Sequence, residues 1–392
     1  MEISWDFLID MNKKYDLIVV GAGIVGLAHA YEARMLGLSV AVIEKNARCV
    51  GASIRNFGFV TVSGQGARDT WRRAMYARNV WSEIASQAGI EVVHRGSWIL
   101  CQRQEAVDVA QAFLQTEMGK GCLFFPREKY AQLAELGFKH TENLFLENSL
   151  GLLYSPHEFR VESRDAIPQL TQWLEISQKV DFIWQTEVLA IEDSVVHTSD
   201  ISLEARRIVV CPGAEINGLA KTYLTHHQLE LCTLQMLRVR VQPGFTLPGS
   251  VMTDNSLSRY LGWSELPEAL ALKECIKNEM PEYLKEGIHL IAVQSSDGTL
   301  VVGDSHRYGN SEDVFASARI DELILNLLKM TLKINELEVI ERWTGVYTSA
   351  QNTDALIEKV SPSLRVAVVT SGTGASTAFG LAKDNLDDWL DL

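Results

Sequence analysis

The chain has 392 residues, of which 47% are hydrophobic and 22% are charged, and its formal net charge is −14. This length is enough for two hydrophobic cores, and the acidic balance argues against a nucleic-acid partner, because no basic excess exists to displace counterions from phosphates. The six cysteines lack CxxC spacing, which argues against a zinc or redox pair and suits a reducing cytosol.

The first twenty residues, MEISWDFLIDMNKKYDLIVV, are acidic before they are apolar. They lack the basic stretch followed by an apolar stretch that marks a signal peptide. No apolar run in the chain approaches the roughly 18 residues that a membrane helix needs. We therefore expect a cytoplasmic protein with no membrane partner.

The first predicted strand-turn-helix unit is DLIVVGAGIVGLAHAYEARML, residues 16–36. Its apolar run Leu17–Val20 is typical of a parallel strand that is buried on both faces. The spacing of Gly21, Gly23 and Gly26 is GxGxxG, in which the glycines allow a tight turn, approach of a pyrophosphate and close helix-strand packing. The helix N-terminus would present free N–H groups to the phosphates. This pattern predicts a dinucleotide site.

A second predicted strand, SVAVIEK, ends at Glu44, whose carboxylate can accept both ribose hydroxyls of a dinucleotide. The segment that follows, KNARCVGASIRNFGFVTVSGQ, is long, rich in glycine and small polar residues, and shows no helix pattern. A simple nicotinamide dehydrogenase would normally begin another helix here. The irregular segment favours a longer cofactor, with the chain following it towards a ring.

The middle of the chain alternates predicted helices and strands. We expect helices at 66–89, 104–119 and 163–177, and strands at 91–101 and 180–192. A buried strand, Ile208–Cys211, then runs into a Pro-Gly-Ala turn. Long alternating strands follow at 231–242, 289–296 and 299–306, and they suit an antiparallel sheet that covers a pocket.

The C-terminal segment begins with the strand-like run ERWTGVYT, residues 341–348. It continues with a strand, Val366–Thr370, a Gly-Thr-Gly turn at residues 372–374 and a terminal helix. The N-terminus of that helix would point at a negative or electron-withdrawing group.

Five of these motifs together resemble the D-amino-acid oxidase superfamily of FAD enzymes, which includes glycine oxidase and sarcosine oxidase. They are the fingerprint, Glu44, the GASIRNFG loop, the VVCPGA turn and the C-terminal TSGTGAS. The likeness runs from about residue 15 to 385. More narrowly, RNFGFVTVSGQ, GDSHRYG and WTGVY are similar to a subgroup associated with aminophosphonate breakdown.

The resemblance implies an α/β fold with a discontinuous Rossmann-type FAD-binding domain and a substrate domain built on a largely antiparallel sheet. The FAD-binding domain would comprise residues 14–90, 151–225 and 341–392. The substrate domain would comprise residues 91–150 and 226–340.

The resemblance also implies the cofactor contacts. FAD, expected to be non-covalently bound, would contact Gly21, Gly23, Ile24, Val25, Gly26, Glu44, Lys45, Ala52, Ser53, Arg55, Asn56, Phe57, Gly58, Val188, Cys211, Gly213, Ala214, Gly345, Gly372, Thr373, Gly374, Ala375, Ser376 and Thr377. No metal site is expected, because the nine histidines include only one adjacent pair, His226 and His227, and that pair falls in a predicted loop or helix end.

Tyr347 is the most informative departure from the family pattern. In glycine and D-amino-acid oxidases the matching stretch carries an arginine that holds the substrate carboxylate by two hydrogen bonds, which a tyrosine cannot do. Tyr347 then either offers its hydroxyl to a different anion or packs beside the flavin while another cation binds the anion. His306 and Arg307, just past a strand end, are further candidates for contacts to an anionic headgroup such as phosphonate, while Gln65 and Arg259 are weaker ones.

The predicted function is oxidation of a small, anionic amine by hydride transfer to FAD, with oxygen or an electron carrier as acceptor. Alternatives are a glycine, sarcosine or D-amino-acid oxidase, an amine dehydrogenase that uses a carrier, a non-catalytic flavoprotein and an NAD-dependent dehydrogenase. The sequence does not determine the oligomeric state.

Overall fold

The computed structural model describes residues 13–392, which form helices around two β-sheets. Within these residues the α-helices are Ile24–Met35 (α1), Asp69–Ala88 (α2), Gln104–Phe113 (α3), Ser163–Ile176 (α4), Lys221–Leu224 (α5), Leu261–Ser264 (α6), Ala269–Glu279 (α7), Pro281–Lys285 (α8), Ala318–Thr331 (α9) and Gly374–Leu390 (α10).

The strands alternate with these helices along the same part of the chain. They are Tyr15–Val20 (β1), Val40–Ile43 (β2), Phe59–Val60 (β3), Val92–Cys101 (β4), Leu123–Pro126 (β5), Gly151–Val161 (β6), Asp181–Ile183 (β7), Ala190–Glu192 (β8), Val195–His197 (β9), Ser202–Val210 (β10), Leu229–Val241 (β11), Ser250–Thr253 (β12), Ile291–Gln294 (β13), Leu300–Gly303 (β14), Arg307–Gly309 (β15), Leu337–Ala350 (β16), Ala355–Ser361 (β17) and Leu364–Val369 (β18).

The first sheet has the strand order β17-β18-β10-β1-β2-β7, and the five strands from β18 to β7 in this order are parallel. Strand β1 lies between β10 and β2, and its residues Leu17, Ile18 and Val19 are completely buried. One face of the sheet packs with α1, α2, α4 and α10 in a single apolar cluster. This is the arrangement that the apolar run before the fingerprint predicts.

The second sheet has the order β15-β11-β14-β13-β12-β4-β6-β3, with β16 added on β11 and β5 on β6. Its pairs are antiparallel except for β12 beside β4. Strands β11 and β16 pair from Leu229–Ala350 at one end to Val241–Leu337 at the other. The predicted fold class, α/β with a largely antiparallel second sheet, is therefore confirmed.

Strand β16 also connects the two sheets. Its last residue, Ala350, donates its N–H to the Thr370 carbonyl at 3.1 Å, and Ser349 forms an antiparallel bridge with Ser371. The space between the sheets is therefore closed at this point by backbone hydrogen bonds.

The sheets divide the chain differently from the predicted domain boundaries. Residues 151–161, predicted in the FAD-binding domain, form β6 of the second sheet, and residues 341–350 belong to β16 of the same sheet. The assignment of these segments to domains stays a prediction.

Several predicted elements are shorter than expected, including the strands at 289–296 and 299–306, which are Ile291–Gln294 and Leu300–Gly303. The helix predicted at 104–119 ends at Phe113, because the N–H and the hydroxyl of Thr116 both turn back to the Phe113 carbonyl, at 2.9 and 2.7 Å. The strand predicted at 180–192 is interrupted between β7 and β8, where Gln185 has a φ of +54°. Among residues 13–392, none of the helices combines the length and the apolar character needed to cross a membrane.

Candidate functional site

A cavity of about 420 Å³ lies between the two sheets. On one side it is bounded by the carboxyl ends of the parallel strands β1, β2 and β10, where open α/β sheets bind their ligands. On the other side it is bounded by residues of β11, β14 and β16 or of the segments that follow them. Both the first and the last βα turn of the chain therefore open into one space.

The fingerprint glycines are required by close backbone contacts. Gly21 has a φ of +106°, and a Cβ there would lie 2.6 Å from the Cys211 carbonyl oxygen. A Cβ on Gly26 would lie 1.9 Å from the Gly21 carbonyl oxygen, so Gly26 serves helix-strand packing and does not line the cavity. Gly23 caps α1 and lines the cavity, with only the Ser53 hydroxyl near a hypothetical Cβ.

Glu44 and Ser53 hold the fingerprint loop from two sides. The Glu44 carboxylate accepts the Ala22 N–H at 3.0 Å and the Asn46 backbone N–H at 3.0 Å. The Ser53 hydroxyl oxygen accepts the Ile24 N–H at 2.9 Å, which leaves its own proton available to a phosphate. Both residues line the cavity, as the dinucleotide prediction requires.

The N-terminus of α10 forms the other end of the cavity. Its first turn contains no acidic residue, and Gly374, Ala375 and Ser376 line the cavity. The indole N–H of Trp81 donates to the Ala375 carbonyl at 2.9 Å, and the Ser376 hydroxyl accepts the Thr61 N–H at 2.8 Å. The first N–H groups of a helix lack partners within the helix, so this end offers donors and a positive dipole end to an electron-rich ring.

Tyr347 lies on β16 at this end of the cavity, with its ring against Gly372. A Cβ on Gly372 would lie 3.0 Å from that ring, and Gly372 has a φ of +72°. Burial, followed by the neighbouring Cys232 and Tyr308, raises the pKa of Tyr347 well above its usual value. The residue is therefore a neutral phenol whose hydroxyl can donate a hydrogen bond.

Three titratable side chains form a buried group at the end of β14, which we call the acceptor cluster: His289, Asp304 and His306. Asp304 lies 3.6 Å from the Nε2 atom of His289 and 3.7 Å from that of His306. Asp304 and His306 line the cavity, and each side chain is 7% exposed. Burial raises the pKa of Asp304 to about 7, while a nearby Arg259 opposes the shift.

Of the two arginines considered for the substrate anion, Arg259 lies in the cavity wall and Arg307 does not. Arg307 forms salt bridges with Glu286 at 3.0 Å and Asp313 at 2.9 Å, and it does not line the cavity. Arg259 lines it and donates to the Tyr308 hydroxyl at 3.0 Å. Within residues 13–392, the salt bridges include no carboxylate partner for Arg259, so its charge faces a phenol and the cavity.

The structure brings most of the predicted residues together. Of the predicted cofactor residues, those that do not line the cavity are Gly26, Gly58 and Thr377. Gly58 lies against Val161 and Thr377 donates its hydroxyl to the Thr373 carbonyl at 3.0 Å. Val188 lines the cavity from the segment between β7 and β8, because the N–H groups of Gln185 and Thr186 are held by the segment that follows β2.

The sequence analysis did not predict Asp304 and His289 as site residues. Asp304 precedes His306 by two residues, a spacing that places two side chains on the same face of an extended segment. In the sequence, this spacing was the only sign that Asp304 lies on the same face as His306. His289 lies in a different element, and nothing in its local sequence connects it with His306.

These features fit a dinucleotide with a ring system, such as FAD. The cradle at Gly21 and Gly23 would close if either residue carried a side chain, Glu44 offers an acceptor for ribose hydroxyls, and two helix N-termini face the same space. Beyond the second helix, Arg259, Tyr347 and the acceptor cluster remain for a small polar substrate.

Comparison with known proteins supports this interpretation. A family model described as DAO, FAD dependent oxidoreductase, matches residues 16–385. A search of curated proteins found no match. Glycine oxidase from Geobacillus kaustophilus has a similar structure, with a TM-score of 0.75 and 18% identity over 96% of this chain and 95% of that one.

Two further solved structures show the same fold. L-proline dehydrogenase from P. horikoshii has a TM-score of 0.76 and 16% identity over 96% of this chain and 93% of that one. L-α-glycerophosphate oxidase from Mycoplasma pneumoniae, with FAD bound, has a TM-score of 0.73 and 14% identity over 97% of this chain and 95% of that one.

Proposed function

Because the chain belongs to the DAO family of FAD-dependent oxidoreductases, we propose that it oxidises a small anionic amine, such as an aminophosphonate, at the carbon that bears the nitrogen. The proposal adds two statements to the family activity: the substrate is an amine, and it carries an anionic group. The names of glycine oxidase and L-proline dehydrogenase support the amine. The anion is argued from the cavity wall.

The observation that carries the proposal is the environment of Arg259. A guanidinium group is always protonated and presents several donors in one plane, which suits carboxylate, phosphate and phosphonate oxygens. Arg259 uses one donor on Tyr308, and the residue lines the cavity. An anionic substrate group would supply the missing negative partner.

Tyr347 would add one neutral donor beside that cation. A phosphonate has three oxygens, so it can accept from Arg259 and Tyr347 at once and still keep an oxygen for other contacts. His306 is less suited to the anion, because burial lowers its pKa well below the usual value and leaves the ring neutral. We therefore assign the anion to Arg259 and Tyr347.

Bound FAD supplies the chemistry, which is acceptance of a hydride from the substrate carbon. The chain's own residues orient the substrate: Arg259 and Tyr347 hold its anionic end, and this fixes the position of the amine-bearing carbon. The walls of the cavity limit access of water, which strengthens the contacts of both residues with the anion. Oxygen or an electron carrier would then reoxidise the enzyme.

An anaerobic screen of amines for loss of oxidised-flavin absorbance tests the proposal. We expect 2-aminoethylphosphonate or its N-methyl or hydroxy derivatives to reduce the flavin at least about 30-fold faster than glycine or D-alanine, because the α-carboxylate clamp is replaced by Tyr347. Equal rates with glycine or D-alanine would contradict the anion assignment. If none of the amines reduces the flavin, the function itself is wrong.

Tyr347→Phe separates a substrate contact from a packing role. We expect slower flavin reduction by the best amine with unchanged FAD content, because the ring that packs on Gly372 is retained and only the hydroxyl is lost. An unchanged rate would mean that Tyr347 only packs. Repeating the assay with oxygen and with an artificial dye distinguishes an oxidase from a dehydrogenase.

A further inference from the structure

The acceptor cluster places a carboxylate inside the cavity without a matching donor. Within the described residues, the Oδ1 atom of Asp304 is buried and has no hydrogen-bond partner. A buried carboxylate without a donor is costly, because it loses its hydration and gains no hydrogen bond in return. Such a group calls for an explanation by a ligand, a proton or an ion.

His306 presents a lone-pair acceptor to the same point. The Nδ1 atom of His306 lies 2.9 Å from the Gly287 carbonyl oxygen, which can only accept, so this nitrogen carries the proton. Burial, followed by the charge of Arg259, lowers the pKa of both histidines well below the usual value. The Nε2 atom of neutral His306 is therefore a lone-pair acceptor that faces Asp304.

We propose that the acceptor cluster is the subsite for the cationic nitrogen of the substrate, and that Asp304 both pairs with the ammonium group and takes up its proton. The inference rests on the proposed function, since it assumes an amine substrate. An ammonium group brings two or three N–H donors, which would satisfy the unpaired Asp304 oxygen and the His306 nitrogen together.

The charges in the cavity match a zwitterion. Arg259 and Asp304 both line the cavity, yet within residues 13–392 the salt bridges do not pair them with each other. The charge of Arg259 acts on Asp304, where it opposes the rise in pKa that burial causes. A substrate with an anion at one end and an ammonium at the other would pair with both, so the cavity selects molecules that carry both charges.

The proton step precedes loss of the hydride. One N–H bond of the ammonium group breaks, its electron pair remains on nitrogen as a lone pair, and the proton forms an O–H bond with the Asp304 carboxylate. Asp304 becomes a neutral acid, and the substrate becomes the free amine from which a hydride can leave. After product release, the acid returns its proton to solvent.

The pKa of Asp304, about 7, is suited to this exchange near neutral pH. Burial raises it and Arg259 lowers it. The titratable or charged groups that face Asp304 are His289, His306, Arg259, Tyr260 and Cys232. Tyr260 and Cys232 remain protonated, because burial raises the pKa of each, so Asp304 is the member that titrates near neutrality.

The same three side chains have the composition of a metal site, with two histidines and a carboxylate whose ligand atoms lie within 4.8 Å of one another. The charge of Arg259 acts on all three, and a divalent ion would add to that positive charge. The observations therefore favour a monovalent ammonium group, and the metal becomes an outcome of the test.

The first experiment measures binding with pairs of ligands that differ only in the amine. Calorimetric titration of the holoenzyme, with its flavin first reduced by dithionite and kept anaerobic so that the amine cannot be oxidised, would compare 2-aminoethylphosphonate with ethylphosphonate, and glycine with acetate. In the wild type we expect an amine to bind at least about 30-fold more tightly than its amine-free partner, and we expect Asp304→Asn to abolish that preference. Asp297→Asn, an exposed carboxylate between β13 and β14, is the matched control.

Retention of the preference by Asp304→Asn would overturn the proposal, as would its absence in the wild type. One equivalent of bound transition metal in the purified wild type, lost in the Asp304→Asn variant, would also overturn it. These outcomes differ from failure of the proposed function, which is the absence of flavin reduction by any amine in the wild type.

The second experiment follows the rate of flavin reduction with pH. In the wild type the rate should rise through a pKa near 7 as Asp304 ionises and becomes able to accept a proton. Asp304→Asn should remove this limb, while Asp297→Asn should keep it. A wild-type profile without such a limb, or the same limb in the Asp304→Asn variant, contradicts the role as proton acceptor.

Discussion

Arg259 contributes a charge that no other described side chain neutralises by a salt bridge, and it donates a hydrogen bond to the hydroxyl of Tyr308, at 3.0 Å. A guanidinium in this state is favourable for binding only when an anion completes its surroundings, because removing a charge from water is otherwise costly. Affinity for the substrate should therefore depend more on this residue than on the neutral donor Tyr347.

The Arg259→Met variant should raise KM for an anionic amine by about 30-fold or more, since truncating one member of a buried charged pair costs about 2–5 kcal/mol. The FAD content should remain that of the wild type. Steady-state kinetics of purified holoenzyme would measure this change. Arg319→Met, in which an exposed arginine of α9 loses its salt bridges to Glu282 and Glu322, is the control and should leave KM within about twofold.

The sequence was informative about Tyr347 and His306 because each follows a recognisable family motif. It favoured Arg307 over Arg259, which it gave only as a weaker candidate, since an arginine beside His306 in the chain is an obvious neighbour. Proximity along the chain is a poor guide here, because Arg307 forms salt bridges with Glu286 and Asp313. Arg259 reaches the same cavity from the segment after β12, and no local pattern marks it.

At the scale of elements, the cavity contains two cysteines, Cys49 and Cys211. Burial raises the pKa of each thiol, and a protonated thiol is a poor nucleophile. Residues 276–392 contain no cysteine. We therefore expect FAD to be held without a covalent bond.

Acid precipitation of the holoenzyme tests this expectation. All of the yellow colour should stay in the supernatant, and the pellet should be colourless. Colour that persists in the pellet would contradict the prediction, and peptide mass analysis would then identify the attached residue, with His306 as the first candidate because it lines the cavity.

The approach of β3 to β6 depends on Gly58. Its φ is +67°, and a Cβ there would lie 1.7 Å from the Val161 carbonyl oxygen. Gly58→Ala should lower stability by ~2 kcal/mol or more, because both the backbone conformation and the contact must change. Thermal unfolding with saturating FAD measures it as a fall in Tm of several degrees.

Gly51→Ala is the matched control for that measurement. Gly51 has a φ of −82° and no atom within 4 Å of a hypothetical Cβ. Its replacement should change stability by no more than about 0.5 kcal/mol. An equal loss in both variants would show that the Gly58 contact is not the cause.

The order of strands and helices around the fingerprint was predictable because apolar runs, glycine turns and helix-forming residues agree there. The strand expected at 180–192 was not, since its apolar composition is that of a continuous strand. Tertiary hydrogen bonds divide the strand, because the N–H groups of Thr186 and Gln185 donate to the carbonyl groups of Glu44 and Asn46. The same contacts bring Val188 to the cavity, so the interruption is part of the site.

At the scale of the whole molecule, the acidic chain buries some of its carboxyl groups. Glu32 of α1 is 6% exposed and accepts hydrogen bonds from the Tyr76 hydroxyl, yet burial raises its pKa to about 7. The folded protein therefore binds a proton that the unfolded chain releases near pH 4.5. Stability from this group is complete below that pH and is lost as the pH rises through about 7.

The Glu32→Gln variant should consequently lose less stability than the wild type when the pH is raised from about 5 to about 8, by about 1–3 kcal/mol. Glutamine keeps an oxygen for the Tyr76 hydroxyl, so the hydrogen bond is preserved. Chemical denaturation of both proteins at the two pH values measures the difference. Parallel losses in the two proteins would contradict the assignment.

Strand β16 carries a consequence for how the enzyme moves. It pairs with β11 from Leu337 to Ala350, and its last residues are bonded to the first sheet at Thr370 and Ser371. A hinge rotation of one sheet away from the other would break the backbone hydrogen bonds that β16 makes with both sheets. We therefore expect substrate entry and product release to depend on local opening of surface segments. Because Tyr347 lies on this strand, we expect its contact with the turn at Gly372 to be kept throughout a catalytic cycle.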